Sequence, residues 1–419
     1  MIPRPSSVTL LLLILYSLII NHSKCEDELL SVVVIYRHGD RAPIRLYPTD
    51  PHNNPSIWPM GFGQLTKIGK MQQYDLGIWL KDRYKNFLPK EFSAKDIYVR
   101  STDVDRTLMS AECTLAGLYP PDNNQEWNTN LRWQPIPVHT VPETLDHLLA
   151  MKKPCEKYER LYRALYNTQE FIDIQNKNHE LYKYVTLNSG ADVYNLETLQ
   201  SIYNILFIEE LNNLTLPEWT KKVYPDKMKP WGDMSFALYT YTPELALLRT
   251  GPLMNEIYLT IQNISYDVIP KMHMYSAHDT TIADVLNTLN MFEYHSPPYS
   301  ATLLFELRAR GLYQYVNVLY KNSTTTAPQK MILKGCKFDC PLDKFFVIFD
   351  KIRLPYNEWK SACDIKFLGM VPFGTLQTNV FLGCMGLLFI LICSFIVSLI
   401  WSKRRRENIN YLRIPNQEE

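Results

Sequence analysis

Leu29-Leu30-Ser31-Val32-Val33-Val34-Ile35-Tyr36-Arg37-His38-Gly39-Asp40-Arg41 is the stretch from which the fold is read. The β-branched run from Val32 to Tyr36 lacks polar alternation, the mark of a strand buried on both faces. It stops where two arginines flank one histidine. Open α/β sheets hold their ligands at the carboxyl ends of such strands. Two guanidinium forks match a tetrahedral phosphate, and Gly39 would let the backbone approach it. Taken alone, an Arg pair after a strand is most often a solvated charge cluster, so the reading needs support elsewhere.

Two more segments repeat the form of strand, chemical residues, then helix. Ile97-Tyr98-Val99-Arg100 leads into Ser101-Thr102-Asp103, any of which suits the N-cap of a helical run to Leu118. Met272 to Ser276 leads into Ala277-His278-Asp279-Thr280-Thr281 and a helix through Leu289. Strands alternating with helices imply an α/β fold with a mostly parallel sheet covered on both faces. Its strand ends would bring Arg37, His38, Arg41, Arg100, His278 and Asp279 to one crevice. Three arginines and two histidines around one point repel unless an anion sits among them, and the fork geometry points to phosphate. Asp279 can supply the proton a leaving alkoxide needs. A His-Asp pair alone is more often a turn, and His139, His147 and His273 read as core or surface residues. No His-x-x-x-His, Cys-x-x-Cys or Asp-rich loop offers a ligand set, so neither metal nor other cofactor is expected.

The rest of the chain sets the context. It has 419 residues, a net charge of +1 and 12% aromatics, which leaves no basic footprint for nucleic acid and no disordered signature. Residues 1–25 read as a secretory signal peptide, with the apolar run Val8 to Ile20 and small residues Ser23 and Cys25 before the cut. Residues 379–401 carry no charge and are long enough to span a bilayer; Lys403 to Arg406 follow and place the 402–419 tail in the cytosol. A lumenal phosphate-handling domain is expected over 26–372, with a helical cap insertion over about 143–262, where amphipathic runs alternate with Asn-rich breaks. Of the lumenal cysteines, Cys336 and Cys340 could close a tight loop, and Cys155 would then pair with Cys363 over a long one. Cys113, in an apolar helical stretch, reads as a buried thiol. Asn213, Asn263 and Asn322 are glycosylation sequons on the lumenal side.

These motifs resemble the histidine acid phosphatase family. Tyr-Arg-His-Gly-Asp-Arg (36–41), with Pro43, matches its Arg-His-Gly-x-Arg-x-Pro signature. Trp58-Pro59 with Gly61 to Thr66, Tyr98 to Asp103, and Tyr275 to Thr281 resemble three further family segments. The resemblance covers essentially the whole lumenal part. It implies a histidine-phosphatase fold and an acid phosphatase acting on small phosphomonoesters through a phosphohistidine. His38 would be the nucleophile, Arg37, Arg41, Arg100 and His278 would hold the phosphoryl oxygens, and Asp279 would be the general acid. It also suggests a homodimer. A further cysteine pair of vertebrate relatives, near Leu206–Glu209 and near Thr302, is missing here.

In the tail, Tyr411-Leu412-Arg413-Ile414 has the form of an endocytic and lysosomal sorting signal read by clathrin adaptors. The layout is similar to that of the family's lysosomal branch and implies a type I protein of lysosomal or endosomal membranes or the cell surface. Two other readings compete: an inositol-polyphosphate phosphatase or mutase on the same fold, and a non-catalytic phosphate-binding membrane protein. Mixed charge in the insertion disfavours the first. Intact His38 and Asp279 disfavour the second.

Overall fold

A computed structural model describes residues 27–263, 270–322, 326–364 and 373–411. The signal segment and Ile414 lie outside them. β1 (Glu28–Arg37) is buried from Ser31 onward and central. It pairs in parallel with β3 (Met272–Ala277), which pairs in parallel with β2 (Ile97–Ser101). On its other side lies β4 (Thr302–Arg310), antiparallel, followed by β5 (Tyr313–Lys321) and β6 (Gln329–Met331), with β7 (Cys340–Pro341) also on β5. The expectation of a mostly parallel sheet is thus corrected to a mixed one. After Leu289 no helix separates the strands, and a strand pair joined by a tight turn can only run antiparallel.

Residues of β1 alternate between two cores. Val32, Val34 and Tyr36 pack with Met272 and Met274 against α1 (Lys67–Arg83) and α2 (Asp105–Leu118). Val33 and Ile35 meet Tyr275, Leu303 and Phe305 on the opposite face. The insertion supplies α3 (Glu156–Leu165), α4 (Gln169–Ser189), α5 (Leu196–Leu211), α6 (Lys229–Ser235) and α7 (Pro243–Asn263), with a core of its own around Phe171, Tyr182, Leu199, Leu206 and Met228. α7 belongs to both cores. Leu245 and Leu248 face the insertion, while Leu253, Met254, Ile257 and Ile261 face the sheet beside α8 (Asp279–Thr288).

α9 (Leu342–Phe349) and α10 (Tyr356–Cys363) close the first unit. Pro252 has no N–H to offer the Leu248 carbonyl one turn back, and the Trp359 indole on α10 donates to that oxygen at 2.7 Å. Disulfides join Cys155 to Cys363 and Cys336 to Cys340. Cys113 is free and half-buried, less enclosed than its sequence context implied. In the insertion core's rim, Glu209 of α5 and Asp50 are both fully enclosed. Both Glu209 oxygens and Asp50 Oδ2 lack a donor among the described residues. Burial, and then the facing Asp50 carboxyl, push Glu209 up to about 9, so Glu209 keeps its proton at neutral pH.

Residues 365–419 form a second unit, whose described part is α11 (Phe373–Tyr411). Its Met385–Arg404 stretch is long and apolar enough to cross a membrane once.

Candidate active site

β1, β2 and β3 end in step, Arg37 opposite Ala277 and Ser101 opposite Ser276, so the three loops that follow leave the sheet at one edge. The first loop is fixed by α1. Gln73, fully buried, donates to the Arg37 carbonyl at 2.9 Å, and Gln72 accepts from the Asp40 N–H at 2.8 Å. Thr66, the N-cap of α1, donates to the Asp40 carboxylate and accepts from the Gly69 N–H at 3.1 Å. A β-carbon on Gly39 would stand 2.3 Å from the Gly69 carbonyl oxygen. The bareness of Gly39 thus admits the backbone of α1 against the loop.

Arg37 is almost fully buried and anchored twice. Its Nη1 donates to the Pro297 carbonyl at 2.5 Å, and its Nη2 pairs with Asp279 Oδ2 at 2.8 Å, with the Tyr299 ring face 4.1 Å away. Arg41 donates from Nη2 to Asn204 on α5 at 3.0 Å, which ties the insertion to the first loop. A third guanidinium comes from Arg106, whose Nη2 lies 3.5 Å from His278 Nδ1. Burial, and after it the nearby Arg41 and Arg37, push Arg106 down to about 10, so it stays cationic at acid and neutral pH. The Nε–H groups of Arg37, Arg41 and Arg106 are buried without an acceptor, as is that of Arg100.

His38 sits at the centre of this charge. Burial, then Arg37, Arg106, His278 and Arg41, hold its pKa well below the usual imidazole range, so the ring is neutral. Its Nδ1 lies 2.8 Å from the Gly39 carbonyl, an acceptor only, so the single proton is on Nδ1. Nε2 therefore keeps its lone pair.

His278 is fixed in the opposite tautomer. Arg106 offers only donors to Nδ1, so the proton is on Nε2 and is given to Thr102 Oγ1 at 3.0 Å. Thr102 passes its own proton to Thr107 Oγ1 at 2.7 Å, because Thr107 is committed as donor to Val104 O at 2.7 Å. Burial, and after it Arg106, push His278 down to about 3. Asp279 opens α8, where the positive helix end favours a carboxylate. Burial opposes its ionisation, but Arg37, Arg41, His278 and the Thr280 N–H outweigh burial and hold it below the ordinary range.

One candidate is displaced. Arg100 shares the Tyr98 face of β2 and pairs at 2.8 Å with Asp146, whose side chain is fully buried. Its charge acts on His147 and Tyr98 and is not among the leading influences on His38, His278 or Asp279. Arg106 takes the place expected of Arg100. The helix cap expected at Ser101, Thr102 or Asp103 is Val104 instead, without a side-chain cap bond, since the helix begins only at Asp105. Arg106 could have been found from sequence, since a cation in a helix's first turn opposes the dipole and calls for a reason. Arg106→Ala is expected to weaken inorganic phosphate binding by roughly tenfold or more. Arg100→Ala is expected to cost about 1–3 kcal/mol of stability by removing the charged partner of Asp146, whose carboxylate keeps three backbone N–H donors, with a smaller effect on phosphate affinity. Calorimetric phosphate titration beside thermal unfolding of both variants checks the division.

A cavity of about 310 Å³ opens from Arg41 and Asp279, walled by Ile44, Asn204, Phe236 and Tyr239. It provides room for the alcohol part of an ester. Among the described residues no group of three or more His, Cys, Asp or Glu is placed to hold a metal.

A neutral imidazole with a free lone pair, three guanidiniums and an adjoining carboxyl define a phosphoryl-transfer site on an α/β sheet. Residues 28–321 match the histidine phosphatase superfamily (branch 2), and the chain belongs to that family. It is 37% identical to the lysosomal acid phosphatase of Homo sapiens over 372 residues, covering 86% of this chain and 85% of that one. Against the prostatic acid phosphatase of Mus musculus it is 37% identical over 369 residues, covering 86% and 95%. The Citrobacter braakii phytase structure superposes with a TM-score of 0.61 at 18% identity, covering 81% of this chain and 100% of that one. The Hafnia alvei phytase in complex with tartrate gives a TM-score of 0.60 at 20% identity, with 80% and 98% coverage. At these identities the two structures speak for the fold alone.

Proposed function

We propose that this chain is an acid phosphomonoesterase that works through a phosphohistidine on His38. The observation that carries the reading is the unprotonated Nε2 of His38 inside the Arg37, Arg41 and Arg106 cage, beside Asp279. Nε2 attacks phosphorus, the ester P–O bond breaks, and protonated Asp279 gives its proton to the departing oxygen. The guanidiniums stabilise the transferring phosphoryl charge, and His278, its one proton given to Thr102, positions Arg106 through Nδ1. Asp279, now a carboxylate, takes a proton from water; that oxygen attacks phosphorus, the P–N bond breaks, and phosphate leaves. His38 keeps its Nδ1 proton throughout, held by the Gly39 carbonyl. A nucleophile this resistant to protonation operates in acid, where Asp279 can be charged with its proton. Hydrolysis of nitrophenyl phosphate from acid to mildly alkaline pH, with and without chelator, tests the reading. No acid-favoured turnover, or turnover that chelator removes, overturns it.

The protein is read as a single-pass membrane protein of the lysosomal or endosomal system, with residues 26–372 on the lumenal side. Support comes from the apolar stretch of α11 and the basic cluster that follows it. Asn213, exposed in the turn after α5, is open to glycosylation on that side. Tyr411→Ala is expected to move the protein from lysosomes to the cell surface, with catalysis in detergent extracts unaltered. Uptake of a surface-bound antibody measures this, and unchanged uptake would make the Tyr-Leu-Arg-Ile stretch a chance match.

A further inference from the structure

A second cleft, of about 220 Å³, shares the Tyr239 wall with the cavity above Asp279. At its base lies Arg249, whose Nε donates to Asp284 Oδ2 at 2.7 Å. The guanidinium lies 4.6 Å from the Tyr239 ring and 5.8 Å from that of Tyr158. Its Nη groups find no acceptor among the described residues, and the side chain stays 13% exposed. Lys152 and Lys153 stand on the rim, opposed by Glu159. Lys153 is engaged with the Tyr356 hydroxyl at 2.6 Å. The Lys152 ammonium is exposed and has no partner among the described residues, and its charge reaches His278.

The loop that carries Lys152 is held unusually firmly. The Asp146 carboxylate accepts the N–H groups of Leu148, Leu149 and Ala150 together with Arg100, and its carbonyl accepts those of Lys152 and Lys153. Thr281 on α8 donates to the Leu149 carbonyl at 3.3 Å. Met151, with φ of 54°, takes the left-handed backbone that a side chain rarely adopts unless its surroundings enforce it. Such a loop fixes the backbone from which Lys152 projects. The insertion's mixed charge, read along the sequence, is here sorted by folding into a cationic cleft.

Spacing relates this cleft to the chemistry. Asp279 and Asp284 lie on α8 five residues apart, about 7.5 Å along its axis. An anion on Arg249 and Lys152 would thus be held beside the same helix that carries Asp279, in the cleft that meets the ester cavity at Tyr239.

We propose that this cleft binds a second anionic group, phosphate or carboxylate, carried on the leaving alcohol, so that esters bearing two anions are preferred over simple monoesters. The proposal rests on the phosphomonoesterase reading and names its substrate class. The test compares kcat/KM for butanediol and hexanediol bisphosphates with that for butyl and hexyl phosphates, on the intact protein in detergent. The ratio of bisphosphate to monophosphate is expected to reach roughly ten- to hundredfold at one chain length. It should collapse in Lys152→Ala. Arg249→Leu alone would strand Asp284, so the second variant is Arg249→Leu with Asp284→Ala, which removes both members of the buried pair. A ratio near one at both lengths, or one that survives both variants, overturns the proposal. Sulfate acting non-competitively on nitrophenyl phosphate, in a component lost in Lys152→Ala, would assign the cleft to a free anion and likewise overturn it. Nitrophenyl phosphate turnover in the unmodified protein separates the two levels. Its presence without a bisphosphate preference sinks only this inference, and its absence sinks the phosphatase reading itself.

Discussion

Replacing His38 with alanine should abolish turnover, by about 10⁴-fold or more, since removing a nucleophile removes the covalent route rather than weakening it. The folded structure should survive. His38 gives the fold a single side-chain hydrogen bond, to its neighbour Gly39, whereas the loop is held by Gln72, Gln73 and Thr66. Inorganic phosphate should still bind, because Arg37, Arg41 and Arg106 are held by Asp279 and Pro297, by Asn204, and on α2. Rapid quench with labelled substrate, under conditions that preserve phosphohistidine, is the direct measurement. Label trapped on the His38→Ala protein would show that another residue is the nucleophile.

Asp279→Asn should lose about 10²- to 10⁴-fold with alkyl phosphates and much less with nitrophenyl phosphate, whose leaving group departs without a proton. The sign of the pH dependence follows from the cage. Arg37 and Arg41 hold Asp279 below the ordinary range, so the empty site carries a carboxylate across most of the pH scale. A bound phosphate dianion offsets those cations and raises the Asp279 pKa, which loads the acid when substrate arrives. kcat for alkyl phosphates should therefore fall as pH rises through that raised value, while kcat for nitrophenyl phosphate stays flatter. Equal losses and parallel profiles for the two substrates would leave Asp279 only its ion pair with Arg37.

What the sequence revealed was local, and what it hid was mutual. Val32 to Tyr36 announces a strand buried on both sides by composition alone, and the loops at Arg37, Ser101 and His278 each follow directly from a strand. That is enough to predict a shared edge. Which of two nearby arginines enters the site was missed, with only the cation in a helix's first turn as a hint, because Arg100 near the end of β2 and Arg106 at the start of α2 stand six residues apart. Side-chain parity sends Arg100 along the Tyr98 face to Asp146, a partner 46 residues away. The first turn of α2 instead carries Arg106 to His278. Nor could the amphipathic pattern of α7 show that its two ends serve different cores, which is why the cap boundary near residue 262 does not mark a structural division. The cleft at Arg249 was hidden for the same reason. Its charges come from a loop, a helix of the insertion and a helix of the sheet layer, and no linear window contains all three.

The enclosed pair formed by Asp50 and Glu209 makes a proton into a structural ligand of this fold. The unfolded chain releases that proton near the ordinary carboxylate pKa of about 4.3, whereas the folded chain keeps it until about 9. Between those limits the native state binds more protons than the unfolded one, so the pair's contribution to stability diminishes as pH rises. The contribution is complete below the unfolded value and gone once pH passes the folded one. Most carboxylates in a fold act in the opposite sense and make acid destabilising. Here one acidic pair works against that trend, and a chain carrying Glu209→Gln should show a flatter thermal-unfolding midpoint between mildly acid and alkaline pH. The same protons that arm Asp279 for catalysis thus also hold the insertion's α5 against the loop of Asp50, linking the conditions under which the site works to those under which the fold is firmest.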